Sequence, residues 1–480
     1  MVEKYKSLPV QVKASFWFLV CGFLQQGISV ITTPIFTRIL STEEYGQYSV
    51  FMSWYSIIIL FTTLNLANGV ITQGLVKYDR EMDKFASSLL GLMCFCVACF
   101  FIIYIISSDF WNNLFKVSKL QMSMMFIMMW TTTLFGIWSA VQKVKYKYKS
   151  LVIVTVIAAV CNPAVGILMV MNSDDKVTSR IIGIAVVQLL CYSWLFADLK
   201  KRGKILFSKQ IWKYALSFNI PLIPHFLSQI ILSLADRIMI RDITTSSYAG
   251  IYSLAYSVAS IMMIFHTALM STISPWIYAK IRNDEISGIK SIAYFTLILM
   301  AGVNLLLIGF APEAIILFAP DAYYEAIWSV PPIAMGSYFM YTYDLFAKFA
   351  FYHDQTILIM VTSVLGAVLN LCLNWYCIHK FGYLAAAYTS LVCYIFYAIV
   401  HFLLMSRVCD KYHNGIKPYN LKIIIIISLV FCLAGFGLMM TYACPVIRYG
   451  LITIGIVLGI IYRKKIIILV QMVYHLREEK

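Results

Sequence analysis

The chain has 480 residues, of which 61% are hydrophobic and only 12% are charged, and its net charge is +16. Its mean hydropathy of +0.81 lies far above that of soluble domains, so these values exclude a soluble globular enzyme. The basic residues are spread over many short connections and do not form one patch, so nucleic acid is not a predicted partner.

Apolar runs of about twenty residues recur along the chain, and each can cross a hydrocarbon core about 30 Å thick. They predict an all-α integral membrane protein with about 14 transmembrane helices. The connections are too short to hold a globular catalytic domain. In chain order the predicted helices cover residues 14–36, 48–70, 86–107, 121–142, 150–171, 181–197, 214–235, 250–272, 291–311, 327–347, 356–376, 383–404, 423–442 and 446–462.

The distribution of basic residues predicts the orientation. With the N-terminus in the cytoplasm, 29 of the 38 Lys and Arg residues lie on the cytoplasmic side and 9 lie on the outer side. The positive-inside rule therefore predicts a multi-pass protein with both termini in the cytoplasm. The first apolar run is longer than the core of a signal peptide, so we expect it to be a permanent helix.

One helical segment occurs twice. Residues 46–63 and 250–267 share eight identities in 18 positions at a constant offset of 204, and a basic residue precedes each copy, Arg38 and Arg237. Such a duplication is typical of transporters. Because six predicted crossings separate the copies, the repeats are parallel, and two lobes are expected to enclose a cavity at the bilayer centre. The predicted parts are an N-lobe (1–199), a basic cytoplasmic linker (200–213), a C-lobe (214–405) and a C-terminal segment with the last two helices (406–480).

Motifs of catalysis and metal binding are missing from the sequence. There is no HExxH, GxSxG, P-loop or Asp-rich loop pair, and the one CxxC, Cys96 to Cys99, lies inside a predicted helix without a second pair. The sequence therefore predicts a protein that is not an enzyme, with no metal and no cofactor. It leaves open whether H⁺ or Na⁺ acts as a coupling ion.

Polar groups inside the predicted helices are the candidates for substrate binding. They are costly in lipid and are expected to face protein or a water-filled cavity. Asn65 and Asn68 are three residues apart, so we expect them to share a helix face. For amide side chains the alternative is a hydrogen bond between helices. The candidates of this class are Gln26, Asn65, Asn68, His225, Gln229 and His266.

Arg38 and Arg237 are further substrate-binding candidates, because each lies at the predicted outer side, where basic residues are disfavoured. A guanidinium group matches phosphate geometry, so the pair could form a cationic rim for an anionic substrate. The alternatives are snorkelling to headgroups and, for Arg237, an ion pair with Asp236 or Asp242.

Hinge and coupling candidates lie in the C-lobe. Pro221 and Pro224 interrupt the seventh predicted helix beside His225, because proline removes helix hydrogen bonds, and Asp236 directly follows the end of that predicted helix. Asp344 is the one clearly intramembrane acid, and it precedes Lys348 by four residues. That spacing suits a local ion pair, and the alternative is a role in binding a coupling ion.

Several motifs resemble the bacterial polysaccharide transporter family, within the multidrug, oligosaccharidyl-lipid and polysaccharide exporter superfamily. They are Thr37-Arg38-Ile39-Leu40 followed by Ser41-Thr42-Glu43-Glu44-Tyr45-Gly46, then Ser217-Phe218-Asn219-Ile220-Pro221 through His225, and Asp236-Arg237-Ile238-Met239-Ile240. The resemblance implies a flippase of the bacterial inner membrane. It would move undecaprenyl-pyrophosphate-linked oligosaccharide from the cytoplasmic to the periplasmic leaflet by alternating access, for O-antigen, capsule or another surface polysaccharide. The implied partners are this lipid-linked substrate, membrane lipids, and the polysaccharide polymerase and chain-length machinery.

Two other functions stay open at this point. An ion-coupled multidrug exporter would favour a buried acid for its cationic substrates, and intramembrane carboxylates are scarce here. A membrane-embedded glycan polymerase or ligase would be expected to carry a large outer loop, and the sequence has none.

Overall fold

The computed structural model describes residues 9–461, and residues 1–8 and 462–480 lie outside the described part. Within that part the chain is helical and contains no β-strand. The α-helices are α1 (Val10–Ile39), α2 (Thr42–Thr62), α3 (Val70–Lys77), α4 (Met82–Ile106), α5 (Ser108–Phe115), α6 (Lys119–Val144), α7 (Tyr148–Met171), α8 (Lys176–Gly203), α9 (Lys209–Asn219), α10 (Ile223–Ile243), α11 (Ser246–Ala259), α12 (Ile261–Arg282), α13 (Ile289–Gly309), α14 (Ala311–Phe318), α15 (Val330–Tyr352), α16 (Thr356–Phe381), α17 (Ala385–Tyr412), α18 (Leu421–Met440) and α19 (Pro445–Ile461).

Side-chain caps fix the starts of several helices. Ser41 and Glu44 form a capping box at α2, and Ser118 and Gln121 form another at α6. Each box satisfies backbone N–H groups that the first turn of a helix leaves without partners. Asp175 caps α8 by accepting a hydrogen bond from the Thr178 amide at 3.0 Å. These caps set the helix ends independently of the surrounding lipid.

The chain divides into two compact units, one ending at Ile238 and the other beginning at Met239, so the division falls within α10. The predicted linker at 200–213 instead contains the end of α8 and the start of α9. The lobe boundaries given by the sequence repeat stay a prediction.

The core of the N-terminal unit is apolar and aromatic. Helices α4, α6 and α8 pack around side chains such as Leu89, Trp138 and Leu195, all of which are fully buried. A second cluster joins Phe51 of α2 with Met125 of α6. Burial of this kind orients the helices, although it contributes less inside a bilayer than in water, because lipid is also apolar.

The core of the C-terminal unit is built on the close pair α15 and α17. Tyr338 of α15 packs on Phe431 of α18, with ring centroids 4.4 Å apart. In α16, a Cβ added at Gly366 would lie 2.0 Å from the Tyr397 ring of α17, so only glycine permits this close approach. The Tyr397 hydroxyl donates to the Ser363 carbonyl at 2.8 Å. Small residues at helix contacts are typical of membrane bundles.

The all-α membrane fold is confirmed, and the exact count of fourteen stays a prediction. Within residues 9–461, eleven helical segments are long and apolar enough to cross a membrane, and Pro445–Val457 is shorter. Helices α2 and α15 do not belong to that set. Both are rich in Tyr, Ser and Thr, which lowers their hydropathy.

Three predicted helices differ from the observed ones. The second, 48–70, ends at Thr62, and residues 63–69 form a turn before α3. The seventh, 214–235, is split into α9, a 3-10 turn at Ile220–Leu222 and α10. The eighth, 250–272, is split at Ser260 and extends to Arg282. A hydropathy average does not detect these breaks, because each one is only a few residues long and lies between long apolar runs.

Candidate functional site

Two helix breaks of the N-terminal unit are joined by one side chain. After α2, Leu64 and Asn65 take positive φ angles of 50° and 51°, which ends the helix. Asn219, at the end of α9, donates from Nδ2 to the Leu64 carbonyl at 2.8 Å and accepts from the Val70 amide at 2.9 Å. It is 2% exposed. We call this contact the Asn219 clasp.

The glycine before α3 makes room for the clasp. A Cβ added at Gly69 would lie 2.2 Å from Oδ1 of Asn219, far inside van der Waals contact. Asn219 can therefore occupy this position only if residue 69 has no side chain. Asn219 belongs to the motif at residues 217–225. The clasp gives this residue a structural role that requires no contact with a substrate.

The predicted hinge residues lie at the second of these breaks. Pro221 belongs to the 3-10 turn, and Pro224 lies in the first turn of α10, where its missing N–H costs no helix hydrogen bond. The Ser228 hydroxyl donates to the Pro224 carbonyl at 2.7 Å. His225 is half-buried beside this turn. A hinge role for the two prolines stays a proposal.

The two asparagines after α2 are neighbours, but they do not share a helix face as the sequence analysis expected. Asn68 donates from Nδ2 to Oδ1 of Asn65 at 3.1 Å, at the surface of the turn 63–69. The helix ends before them because Leu64 and Asn65 are left-handed, and asparagine tolerates that conformation better than most residues.

Cationic side chains gather at the predicted outer end of the N-terminal unit. Arg38 is exposed and donates from Nη1 to the Pro34 carbonyl at 2.7 Å. Lys176, at the start of α8, donates to the Ile39 carbonyl at 3.1 Å. Arg180 lies one turn further along α8, with its guanidinium carbon 3.1 Å from the Phe36 ring centroid and 4.3 Å from that of Tyr48.

Arg180 was missed in the sequence analysis, although the signal that singled out Arg38 was present. It directly precedes the sixth predicted helix, 181–197, at the predicted outer side, where the positive-inside rule disfavours arginine. Its aromatic partners lie more than a hundred residues earlier in the chain, so spacing gave no sign of them.

A polar track crosses the interior of the same unit. The Tyr55 hydroxyl of α2 donates to Oγ1 of Thr132 on α6 at 3.0 Å, and Thr131 donates to Oε1 of Gln188 on α8 at 3.0 Å. Gln188 also accepts from Thr132 at 3.4 Å. Three helices are thus linked by hydroxyl and amide groups in an apolar setting. None of these four residues was among the predicted candidates.

The C-terminal unit holds a partly buried ionic triad, formed by His266, Asp344 and Lys348. His266 Nε2 of α12 lies 3.3 Å from Oδ2 of Asp344 on α15, and Lys348 Nζ lies 2.7 Å from the other carboxylate oxygen. Their side chains are 8%, 22% and 12% exposed, in that order. A carboxylate held by two donors is the arrangement that makes a buried charge tolerable.

Two polar atoms beside the triad have no hydrogen-bond partner among residues 9–461. They are Nδ1 of His266 and the hydroxyl of Tyr341, and both are buried. The two rings are in edge contact, with centroids 5.4 Å apart. Buried polar groups in proteins are normally satisfied, so unpaired ones are a signature of sites that hold strain, water or an ion.

Two further intramembrane asparagines of this unit, Asn370 and Asn374, are bonded to each other and to neighbouring hydroxyl groups. Asn374 donates from Nδ2 to Oδ1 of Asn370 at 3.2 Å, Asn370 contacts Ser390 at 3.4 Å, and Thr389 donates to Asn374. This network links α16 to α17. It has the geometry of the interhelical hydrogen bonds that the sequence analysis gave as the alternative to substrate binding.

Three connections of the C-terminal unit meet in a histidine cluster made of Asp284, His353 and His413. The two Nε2 atoms lie 2.8 Å apart, so one donates to the other, and His413 Nδ1 lies 3.1 Å from Oδ1 of Asp284. Burial and the His413 imidazole lower the pKa of His353, and Asp354 opposes this shift. The His353 ring stacks on Tyr412 with centroids 4.2 Å apart.

The other predicted site residues lie on α1 and α10. The side chain of Gln26 is outside the described residues. Gln229 is half-buried on α10, and Asp236 and Arg237 are buried at 0% and 9% exposure. Asp242, one of the acids considered for Arg237, forms an ion pair with Arg241 at 3.0 Å. Of the candidates, the structure brings together Asn65 with Asn68 and His266 with Asp344.

Residues 12–281, more than half of the chain, match the family described as polysaccharide biosynthesis protein. The chain belongs to this family. The resemblance inferred from the sequence motifs is thereby confirmed.

Relatives of this family member include two proteins of Haemophilus influenzae. "Lsg locus putative protein 1" is 21% identical over 384 residues, covering 74% of this chain and 88% of the relative. An "uncharacterized membrane protein" is 22% identical over 382 residues, with coverage of 75% and 88%.

Solved structures show the fold. A lipid II flippase, MurJ, in an inward closed conformation superposes with a TM-score of 0.71 at 14% identity, covering 93% of this chain and 99% of the flippase. An inward-facing multidrug resistance transporter of the MATE family gives a TM-score of 0.65 at 13% identity, with coverage of 81% and 96%. This member of the polysaccharide biosynthesis family has the fold shared by those transporters, and it is a multi-helix membrane protein.

Proposed function

We propose that the protein is a flippase for lipid-linked oligosaccharides. Its substrate would be an undecaprenyl-pyrophosphate-linked repeat unit, which it moves from the cytoplasmic to the periplasmic leaflet by alternating access. The product would serve the synthesis of O-antigen, capsule or another surface polysaccharide. The protein would lie in the bacterial cytoplasmic membrane with both termini inside, and the polymerase and chain-length machinery would act on its product.

One observation carries this proposal. The chain belongs to a polysaccharide biosynthesis family, and 93% of its length shares the fold of a lipid II flippase. The family supplies the link to glycans, and the fold supplies a transporter architecture. The sequence repeat and the absence of catalytic motifs in the full sequence agree with transport in preference to catalysis.

The polar groups of the N-terminal unit suit an anionic, sugar-bearing substrate. Arg38, together with Arg237 on α10, would contact the phosphoryl groups, because guanidinium forms bidentate hydrogen bonds with phosphate. Gln26, Asn65, Asn68, His225 and Gln229 would contact sugar hydroxyls. Pro221 and Pro224 would let α10 bend during transport.

The ionic triad is proposed as the coupling site. In the cycle that we infer, a coupling ion changes which partner the Asp344 carboxylate holds more tightly, His266 Nε2 at 3.3 Å or Lys348 Nζ at 2.7 Å. Because Lys348 is on α15 and His266 is on α12, this exchange would change the contact between the two helices.

The second candidate function is an ion-coupled multidrug exporter. It is favoured by the likeness to MATE transporters and by the partly buried carboxylate of Asp344. The same carboxylate also weakens it, because Lys348 already neutralises the charge that a cationic drug would need. The family match likewise favours glycans over drugs.

A reconstituted assay tests the proposal. Purified protein is incorporated into proteoliposomes that contain a fluorescent undecaprenyl-pyrophosphate-linked oligosaccharide, and a membrane-impermeant reagent reports which leaflet holds the sugar. We expect transfer between leaflets in liposomes with protein and none in empty liposomes. Equal accessibility in both would contradict the proposal.

Gene deletion provides the matching test in cells. We expect the lipid-linked oligosaccharide to accumulate in the cytoplasmic leaflet. If it accumulates in the periplasmic leaflet without polymerisation, the polymerase interpretation is correct. If its distribution is unchanged while cells become sensitive to cationic dyes, the exporter interpretation is correct.

A further inference from the structure

The guanidinium of Arg180 is held by two aromatic rings. Phe36 of α1 and Tyr48 of α2 both lie in cation–π distance of its central carbon, at 3.1 and 4.3 Å. Phe36 is 2% exposed, and its ring also lies close to Gly166 of α7, so its position is fixed by packing. The rings hold the guanidinium plane without using any of its N–H groups.

The hydrogen-bonding capacity of this guanidinium is unused by the described residues. A guanidinium carries five N–H donors. The buried Nε of Arg180 has no hydrogen-bond partner, and no ion pair joins this arginine to a carboxylate in residues 9–461. Leaving a charged donor unpaired away from water is costly, so a ligand that accepts from it would bind favourably.

Two carboxylates at this end of the unit, Glu44 and Asp175, are already engaged. Glu44 accepts from the Ser41 amide at 2.7 Å and lies 4.0 Å from Lys176 Nζ. Asp175 accepts from the Thr178 amide as the cap of α8. Neither is available to neutralise Arg180 without breaking a helix start.

The position of Arg180 suits the release side of a transport path. It is the fifth residue of α8, which places it about 6 Å from the first residue along the helix axis. Lys176 precedes it by one turn, and Arg38 lies at the same predicted outer end. An anion that moves outward along α8 would therefore meet Arg180 before Lys176.

We propose that Arg180 is an oxyanion-binding residue, and that its guanidinium, held between Phe36 and Tyr48, donates hydrogen bonds to an anionic group of the transported molecule. This inference rests on the proposed function for the identity of the cargo. The oxyanion is either a phosphoryl group of the pyrophosphate link or the carboxylate of an acidic sugar. Both accept the planar, bidentate pattern that arginine offers and lysine does not.

Binding is tested on the purified full-length protein in detergent, with inorganic pyrophosphate and glucuronate as separate probes. Thermal stability is measured against the concentration of each probe. We expect one of the two anions to stabilise the wild type, and the half-saturating concentration to rise about tenfold or more in Arg180→Gln, as expected for the loss of a charge-assisted hydrogen bond. Pyrophosphate as the effective probe identifies the phosphoryl source, and glucuronate identifies the acidic sugar.

Two further variants separate binding from packing. Arg180→Lys keeps the charge but loses the planar fork, so we expect intermediate binding. Tyr48→Leu keeps the arginine but removes one ring, so we expect weaker binding even if Arg180→Gln does not fold. The control is Arg80→Gln, an exposed arginine in the short connection before α4, and it should bind both probes as the wild type does.

If Arg180→Lys, Arg180→Gln and Tyr48→Leu all bind the probes as the wild type does, Arg180 only packs against aromatic rings and the inference is wrong. The proteoliposome assay distinguishes this from failure of the proposed function. Anion binding that depends on Arg180 in a protein that does not flip lipid-linked sugar would support the site and contradict the flippase.

Discussion

Asn219 Oδ1 accepts a hydrogen bond from the Val70 amide at 2.9 Å, although the two residues are 149 positions apart. The bond joins the end of α9 to the start of α3. Both helices border a break in a predicted transmembrane helix. A change at this contact should therefore affect both breaks at once.

Replacement of Asn219 by alanine should destabilise the N-terminal unit by about 2–4 kcal/mol, because a buried N–H and a buried C=O would each lose a partner. The measurement is thermal unfolding of the purified protein in detergent. The control is Asn68→Ala, which removes a hydrogen bond at the surface. Equal melting temperatures for the two variants would show that the clasp contributes nothing to stability.

Gly69→Ala tests the same contact from the other side. The added methyl group would lie 2.2 Å from Asn219 Oδ1, so we expect the clasp to be displaced and the melting temperature to fall about as far as in Asn219→Ala. The double variant should be little worse than either single variant, because one contact is lost in both. Additive losses would contradict this.

Removal of one charged partner of the ionic triad, Asp344, should lower the free energy of unfolding more than removal of both Asp344 and Lys348. Asp344→Asn leaves the Lys348 ammonium without its carboxylate, and we expect a loss of about 3–5 kcal/mol, whereas Lys348→Met leaves Asp344 with His266 and should cost less. The variant with both changes should recover part of this loss. An exposed pair, Asp109 with Lys119 at 3.0 Å, is the control, and Asp109→Asn there should cost at most about 1 kcal/mol.

Acidification should destabilise the histidine cluster. The pKa of His353 is lowered in the folded protein, so the unfolded chain binds this proton more readily. The contribution of His353 to the free energy of unfolding is fully present above the unfolded pKa of about 6.5. It is lost as the pH falls from there through the folded pKa. Melting temperatures should fall more steeply below about pH 6.5 in the wild type than in His353→Gln.

The control for the pH series is His379→Gln, which removes an exposed histidine at the end of α16. Its melting curve should follow that of the wild type at every pH. If His353→Gln also follows the wild type, protonation of the cluster does not affect folding.

Arg38→Ala and Arg237→Ala should each reduce the rate of leaflet transfer without reducing the amount of protein in the membrane. The reason is that removal of a charge from the proposed rim weakens binding of an anionic substrate by about tenfold or more. Transfer rates in proteoliposomes and the amount of inserted protein are the two measurements. If both variants transfer substrate at the wild-type rate, the rim hypothesis is wrong and the arginines only snorkel to the headgroups.

The sequence predicted those features that depend on local composition. Apolar runs gave the membrane helices, and motifs around Arg38 and Asn219 gave the family. The breaks after Thr62 and at Ser260 were missed, because backbone conformation there is decided by one or two residues within an apolar stretch. Hydropathy averaged over a window cannot register so local a change.

Contacts between distant helices were the other feature that the sequence could not supply. His266 and Asp344 were both named as candidates, but for separate roles, and their separation of 78 residues gave no reason to pair them. Arg180 was not named at all, because its significance comes from Phe36 and Tyr48. A single sequence shows which polar residues lie within apolar runs. The packed helices are needed to show which of these residues contact one another.

The Asn219 clasp also limits the number of parts that can move separately. Its two hydrogen bonds attach the end of α9 to the turn at Leu64 and to the start of α3 at Val70, so a movement of α9 would also displace that turn. The proposed bending of the seventh predicted helix would then begin after the clasp, at the 3-10 turn Ile220–Leu222 and in the first turn of α10, where the two prolines lie. The Asn219 amide would thus set the N-terminal limit of the proposed hinge.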